Sequence, residues 1–227
     1  DETLTLSGAL SHTGDITIDV AEDKTLTYSG TAIVVGANTI TLSGGGSFLS
    51  GGMTLNDAQS KLLFNSITLD SASTSANSLG LDVDANSTVT SLSVGHIPPV
   101  SIAAGKTLSG GVTVTAGSIK LGETGTLASN ITMSGGKLEA DNNLTLSGDL
   151  TQAGNIEIHV AEDKTLSYSG AAVNLGDRTL TMSGKGTFNN TNALRLNSGS
   201  SKLLLSNTTT VGSVSTIANN AGVEVNE

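Results

Sequence analysis

Side chains able to do chemistry are sparse in this chain of 227 residues. His12, His96 and His159 are scattered, with no second ligand at metal-binding spacing, so no zinc centre is expected. The block Ala21-Glu22-Asp23-Lys24 returns as Ala161-Glu162-Asp163-Lys164, the one charged stretch that survives between two copies. Its paired acids suit a calcium ion held between layers, since hard cations take several oxygens. A tight corner before a strand accounts for the same retention, with lysine and the acids in solvent. Gly44-Gly45-Gly46-Ser47-Phe48 lacks the aspartate of the calcium-binding Gly-Gly-x-Gly-x-Asp repeat. The expectation is a corner and no cofactor, with calcium the alternative.

Sugar cleavage needs clustered carboxylates, with basic residues and aromatic platforms to hold the polymer. The only arginines are Arg178 and Arg195, and the copy-related positions carry Asn38 and Thr54. Tyr28 and Tyr168 are one strand position seen twice, which suits a layered core better than a sugar platform. The chain is not expected to be an enzyme; a carbohydrate-active β-helix is the least favoured alternative. Threonine pairs suggest ice binding as another: Thr3 and Thr5, Thr25 and Thr27, Thr39 and Thr41, Thr88 and Thr90, Thr113 and Thr115. Threonine is also a favoured outward strand residue, and Thr27 becomes Ser167 and Thr17 becomes Glu157 in the second copy. The segment Gly95-His96-Ile97-Pro98-Pro99 holds both prolines. Proline removes a ladder hydrogen bond, so His96, Pro98 and Pro99 mark either a corner or a protruding contact loop.

The elements that carry these residues repeat. Residues 3–48 return at 143–188, and 27 of the 46 aligned pairs are identical. Alternating runs such as Thr3-Leu4-Thr5-Leu6, Ile16-Thr17-Ile18, Thr39-Ile40-Thr41-Leu42 and Val112-Thr113-Val114-Thr115 read as strands with one buried face. Many end in Ser-Gly, where glycine allows a sharp corner through positive φ. Gly8 to Gly30 spans 22 residues and Gly30 to Gly44 spans 14, a pattern repeated at Gly148, Gly170 and Gly184. Together these read as two coils of roughly 18 residues, so the 140-residue offset holds about seven coils. The apolar positions Ile16/Ile156, Leu26/Leu166 and Ile40/Leu180 keep their character, whereas Thr17/Glu157, Asp19/His159, Ala37/Asp177 and Asn38/Arg178 drift. Constant residues point inward and variable ones outward.

The expected fold is all-β, a parallel β-helix (β-solenoid) of about 11–12 coils of roughly 18–22 residues. At about 4.8 Å per coil the rod is roughly 55 Å long. It is one continuous body over 1–227, with internal repeats 1–140 and 141–227, the second truncated. Leu26, Leu166, Ile16 and Ile156 are its inward ladder, and Gly30 and Gly170 its corners. Asp1 aligns with Asp141 inside a strand-like run, and Val223-Glu224-Val225-Asn226 resembles Leu81-Asp82-Val83-Asp84, so the chain reads as a window from a longer array.

The succession of an apolar strand, then Ala-Glu-Asp-Lys-Thr-Leu or Ala103-Ala104-Gly105-Lys106-Thr107-Leu108, then Ser-Gly, resembles the repeat regions of bacterial filamentous haemagglutinin-like exoproteins and autotransporter passengers. That resemblance implies a right-handed solenoid, secreted or displayed at the cell surface, serving as a stalk, fibre or adhesin shaft. Absence of cysteine is compatible with export. A formal charge of −10 without a basic stripe opposes nucleic-acid binding, and no apolar run is long enough for membrane insertion. The expected partners are copies of the chain, joined laterally or end to end. Host, surface or matrix polysaccharide or protein would be met through regions outside this segment.

Overall fold

Period-two alternation sends each Leu, Ile or Val of a short strand to one side. A single coil of such strands cannot close a core, so coils must stack. The structure, a computed structural model, describes residues 3–121, 125–206, 210–217 and 219–226. Its described residues form only strands and turns, and every strand pairing is parallel. An all-β parallel β-solenoid of eleven coils results, with an eleven-stranded sheet running its length.

Each coil visits three faces. The first face begins with Leu4–Leu6, Thr25–Tyr28 and Ser47–Leu49; the second with Ile33–Val34 and Met53–Leu55; the third with Ile16–Asp19, Thr39–Ser43 and Lys61–Asn65. In coils 4 to 6 the first two faces merge, because Thr68–Thr74, Ser87–Val94 and Thr107–Val114 each run through both as one strand. A register shift between Val89 and Leu92 bends the sheet where separate strands meet elsewhere.

Stacking in register turns the alternation into columns. On the third face Ile16, Ile40, Leu62, Leu81, Val100, Leu121, Ala140 and Val160 lie one above another through eight coils. All but Ile16, at the first coil, are buried. Each large apolar side chain so covered contributes about 1.5–3 kcal/mol, and repetition of that gain supports a core with few aromatics. Leu166 and Ile156 are buried, whereas Leu26 and Ile16 pack against the core half-buried, since fewer coils cover them. All four belong to the core or pack against it.

Seven coils do separate Leu26 from Leu166, but the coil is longer than the glycine spacing implied. Neighbouring coils are 19 residues apart at Leu108 and Leu127 and 24 apart at Ile16 and Ile40. Gly8 to Gly30 is one coil of 22 residues, since Leu4 pairs with Leu26, whereas Gly44 lies at the end of the third-face strand of the coil that Gly30 begins to turn. Gly30 and Gly170 also differ from expectation in their physical role. Neither adopts positive φ. A Cβ on Gly30 would collide with the carbonyl of Gly8 and the hydroxyl of Tyr28, and one on Gly170 with the carbonyl of Gly148. Space between stacked corners, not backbone conformation, demands glycine there.

Candidate functional site

The repeated acidic block is a turn. Lys24 donates its N–H to the carbonyl of Ala21 at 3.0 Å, and Lys164 to Ala161 at 3.1 Å. Asp23 and Asp163 take φ of 60° and 58°, in the left-handed region that aspartate tolerates better than most residues. The related block closes identically, Lys106 N–H to Ala103 at 2.9 Å, with Gly105 at φ 71°. The shared requirement is a left-handed third residue, which explains the block's retention without a ligand. Among the described residues no cluster of three or more acids, histidines or cysteines is arranged to hold a metal ion.

The densest charge lies outward on the third face. Lys61 meets Asp82 at 2.5 Å, Lys120 meets Asp141 at 2.7 Å, and Lys202 meets Glu224 at 2.6 Å, each pair joining one coil to the next. Lys137 lies 3.2 Å from Glu139 and 3.6 Å from Glu157. Asp141 hydrogen-bonds Lys120 and lifts its ammonium above the ordinary value, and Lys202 lowers the carboxyl of Glu224 in the same way. Such solvent-screened pairs contribute little individually.

Beside them stands a juxtaposition with the residue types of hydrolytic chemistry. Ser183 Oγ donates to Glu157 Oε1 at 2.5 Å and lies 2.9 Å from His159 Nδ1. The hydroxyl occupies the middle position and gives its proton to the carboxylate, so the imidazole does not act as its base. Acyl-transfer triads place the imidazole between the other two. Ser183 is also only 8% exposed. The trio ties two coils together, as Asp19 and Ser43 do at 2.6 Å in the first copy.

The proline segment does not protrude. His96 and Ile97 are exposed at the corner between second and third faces, but Pro98 is buried and Pro99 half-buried at the start of Pro99–Ile102. Gly95 and His96 give their N–H groups to Thr74 Oγ1 at 3.2 and 3.4 Å, and Ile97 to Asn77 Oδ1 at 3.2 Å. Of the three candidate contact residues only His96 is open to solvent. In the preceding coil Gly80 lies against Pro99, whose carbonyl and ring fill the space of a Cβ, and it also adopts φ of 88°.

The threonine pairs scatter over three faces. Thr25 and Thr27 lie on the first; Thr39 and Thr41 on the third, followed in the next coil by Lys61 and Leu63; Thr113 on the second. The second face carries an unbroken outward hydroxyl column of six, Thr54, Ser73, Ser93, Thr113, Thr132 and Thr151, and the first face another of five, Thr25, Ser47, Thr68, Thr88 and Ser109. Five of the six second-face members, all but Thr113, were outside the sequence pattern because serine substitutes for threonine or the pair is not Thr-x-Thr.

Corner amides and carboxylates form a second set that spacing alone did not reveal. Asp15 and Asn155 each accept the N–H of the residue 24 positions on, Thr39 at 2.7 Å and Thr179 at 2.8 Å. Asn86 and Asn143 do the same for Thr107 at 3.0 Å and Thr165 at 2.9 Å. Asp70 gathers the most donors: Ser50 N–H at 3.0 Å and Oγ at 2.9 Å, Gly51 N–H at 2.9 Å and Ser71 N–H at 2.8 Å. Partial burial pushes its carboxyl up, but the hydrogen bonds together hold it below its ordinary value. The readable signal was an Asn or Asp just before a strand, as at Asp15, Asn86, Asn143 and Asn155; Asp70 lies within Thr68–Thr74 and gave no such signal.

Concavity is shallow. One groove, about 390 Å³, is an open trough between stacked strands, walled by Asn143, Thr145, Thr165 and Ser167. Among the described residues no helix is long and apolar enough to cross a membrane. No known protein family, curated protein or solved structure matches the chain.

Proposed function

We propose that this chain is a shaft segment of a large secreted or surface-displayed bacterial protein of the filamentous haemagglutinin-like or autotransporter-passenger kind, with a positional role and no catalytic one. One observation carries the reading: the inward columns and corner clamps recur across seven coils while the outward positions above them change, Thr17 to Glu157 and Asp19 to His159. A recurrent binding site would hold its outward chemistry constant; a spacer needs only its core. Copies of the chain meeting laterally or end to end are part of this reading. Duplicating residues 26–165 is the test. Seven added coils lengthen the rod by about 34 Å at about 4.8 Å each, measured by small-angle scattering and by the reach of a distal epitope displayed on a cell. A compact or unfolded product, or an unchanged reach, refutes the reading.

The hydroxyl column on the second face favours ice binding as a second function. Its six members repeat at about 4.8 Å along the rod, a spacing close to the oxygen repeat of ice. Thermal hysteresis that falls on Thr113→Tyr and Thr132→Tyr supports this; freezing behaviour equal to buffer removes it.

A further inference from the structure

From coil 2 onward the second face is laddered between every pair of neighbouring coils except 8 and 9. Leu150–Gln152 pairs only back to Asn130–Met133, and Val173–Asn174 only onward to Leu194–Leu196. A side chain from the first face stands in the gap. Tyr168, 1% exposed, accepts the N–H of Leu150 at 3.1 Å and donates its hydroxyl to the carbonyl of Ala171 at 2.6 Å. A phenol oxygen thus replaces a direct backbone bond. Asp149 Oδ1 takes the N–H of Ala171 at 2.8 Å. Farther along, Gln152, 4% exposed, reaches across: its Nε2 donates to Gly154 at 3.0 Å and to Thr179 of the next coil at 2.8 Å. Its Oε1 is buried without a protein partner. A groove of about 200 Å³ opens here, with Asp149, Thr151, Gln152, Ala172 and Asn174 in its walls.

The arrangement recurs seven coils earlier. Tyr28 accepts the N–H of Leu10 at 2.8 Å, and the ring of His12, the counterpart of Gln152, lies 3.0 Å from the carbonyl of Gly14 and 3.1 Å from that of Val34. Both copies replace the same stretch of ladder by side chains.

We propose that the seam between coils 8 and 9 is a hydrated joint, in which bound water completes the hydrogen bonding of the two strand edges and of Gln152 Oε1, and where the rod opens first. Buried backbone groups left unpaired are costly, and a water needs room plus two to four polar partners. The groove supplies both. Tyr168 bonds both edges at once, so the gap is one oxygen wide and excludes an inserted strand. Asp149 is the only carboxylate there and one of its oxygens is already engaged, which disfavours a hard cation. The joint has mechanical meaning only for a shaft, but its hydration is tested independently of rod length.

The experiment is residue-resolved hydrogen exchange on the whole chain, with water-to-protein magnetisation transfer. Gln152 is compared with Met133, its partner one coil earlier in the same column. The expected result is exchange of the Gln152 amide at least about tenfold faster than that of Met133, with a water cross-peak at the Gln152 side-chain amide. Gln152→Met is expected to abolish the local water signal while leaving the overall strand content unchanged. Tyr168→Phe is expected to speed exchange at Leu150. Equal protection of Gln152 and Met133, or absence of bound water beside Gln152, overturns the proposal.

Discussion

Leu26 and Leu166 are the same residue of the repeat, yet the structure assigns them different energetic weights. Leu166 is fully buried, stacked in register between Leu144 and Phe188. Leu26 is only half-buried, because Leu4 above it is 59% exposed and leaves water access. Removing a fully buried leucine to alanine costs about 2–5 kcal/mol, combining lost transfer energy with the cavity left behind. Phe188 and Leu144 are held by their own ladders and cannot collapse far, which places Leu166→Ala in the upper half of that range. Leu26→Ala starts from a site already wet and is expected to cost about 1–2 kcal/mol, from the smaller area withdrawn from water. Ser167→Ala, on the outward side of the same strand, is expected to fall within about 0.5 kcal/mol of the parent. Urea denaturation followed by circular dichroism supplies the totals, and hydrogen exchange in coils 8 to 10 supplies the local loss, since stability in a stacked array is a sum of neighbour terms. Equal losses at the two leucines, or a loss below about 1 kcal/mol at Leu166, would contradict the register that places one in the interior and the other near its edge.

The glycines separate two causes. Nothing lies within 4 Å of a Cβ added at Gly105, so Gly105→Ala should lose only the left-handed backbone penalty, about 1–2 kcal/mol; Gly170→Ala carries no such penalty but must displace the Gly148 carbonyl or the Tyr168 ring, and its thermal midpoint should drop further. Asp70 predicts a pH signature. Its folded carboxyl lies below its ordinary value, so its stabilisation is present above the unfolded value of about 3.9 and is lost as pH falls through the folded one. The stability gap between the parent and Asp70→Asn should therefore narrow on acidification below about pH 4, and a gap independent of pH between 7 and 2 would exclude the carboxylate as its source. Breaking the third-face pair with Lys61→Ala should change stability by less than about 1 kcal/mol in moderate salt, measured by the urea midpoint.

Much of the fold was legible because period-two alternation and a 140-residue echo constrain the same thing. Leu26 and Leu166, or Ile16 and Ile156, had to face inward in any parallel stack. The coil length was less accessible. Ser-Gly marks corners of different faces, so the distance from Gly30 to Gly44 measured part of a coil instead of a whole one. The functional surface was least legible. Thr39 and Thr113 look alike in one dimension, but neighbours in the next coil, Lys61 under one and Thr132 under the other, decide which belongs to a continuous hydroxyl column.

By itself, then, the sequence determined a stacked all-β array, its inward residues and the number of coils in its repeat, because these follow from local alternation and self-similarity. Tertiary structure alone decided what each outward or polar residue does. In a solenoid the neighbour across a face is about twenty residues away, and which one it is depends on register. Register made a clamp of Asp70, a tie of Ser183 between Glu157 and His159, and a wedge of Tyr168 between Leu150 and Ala171.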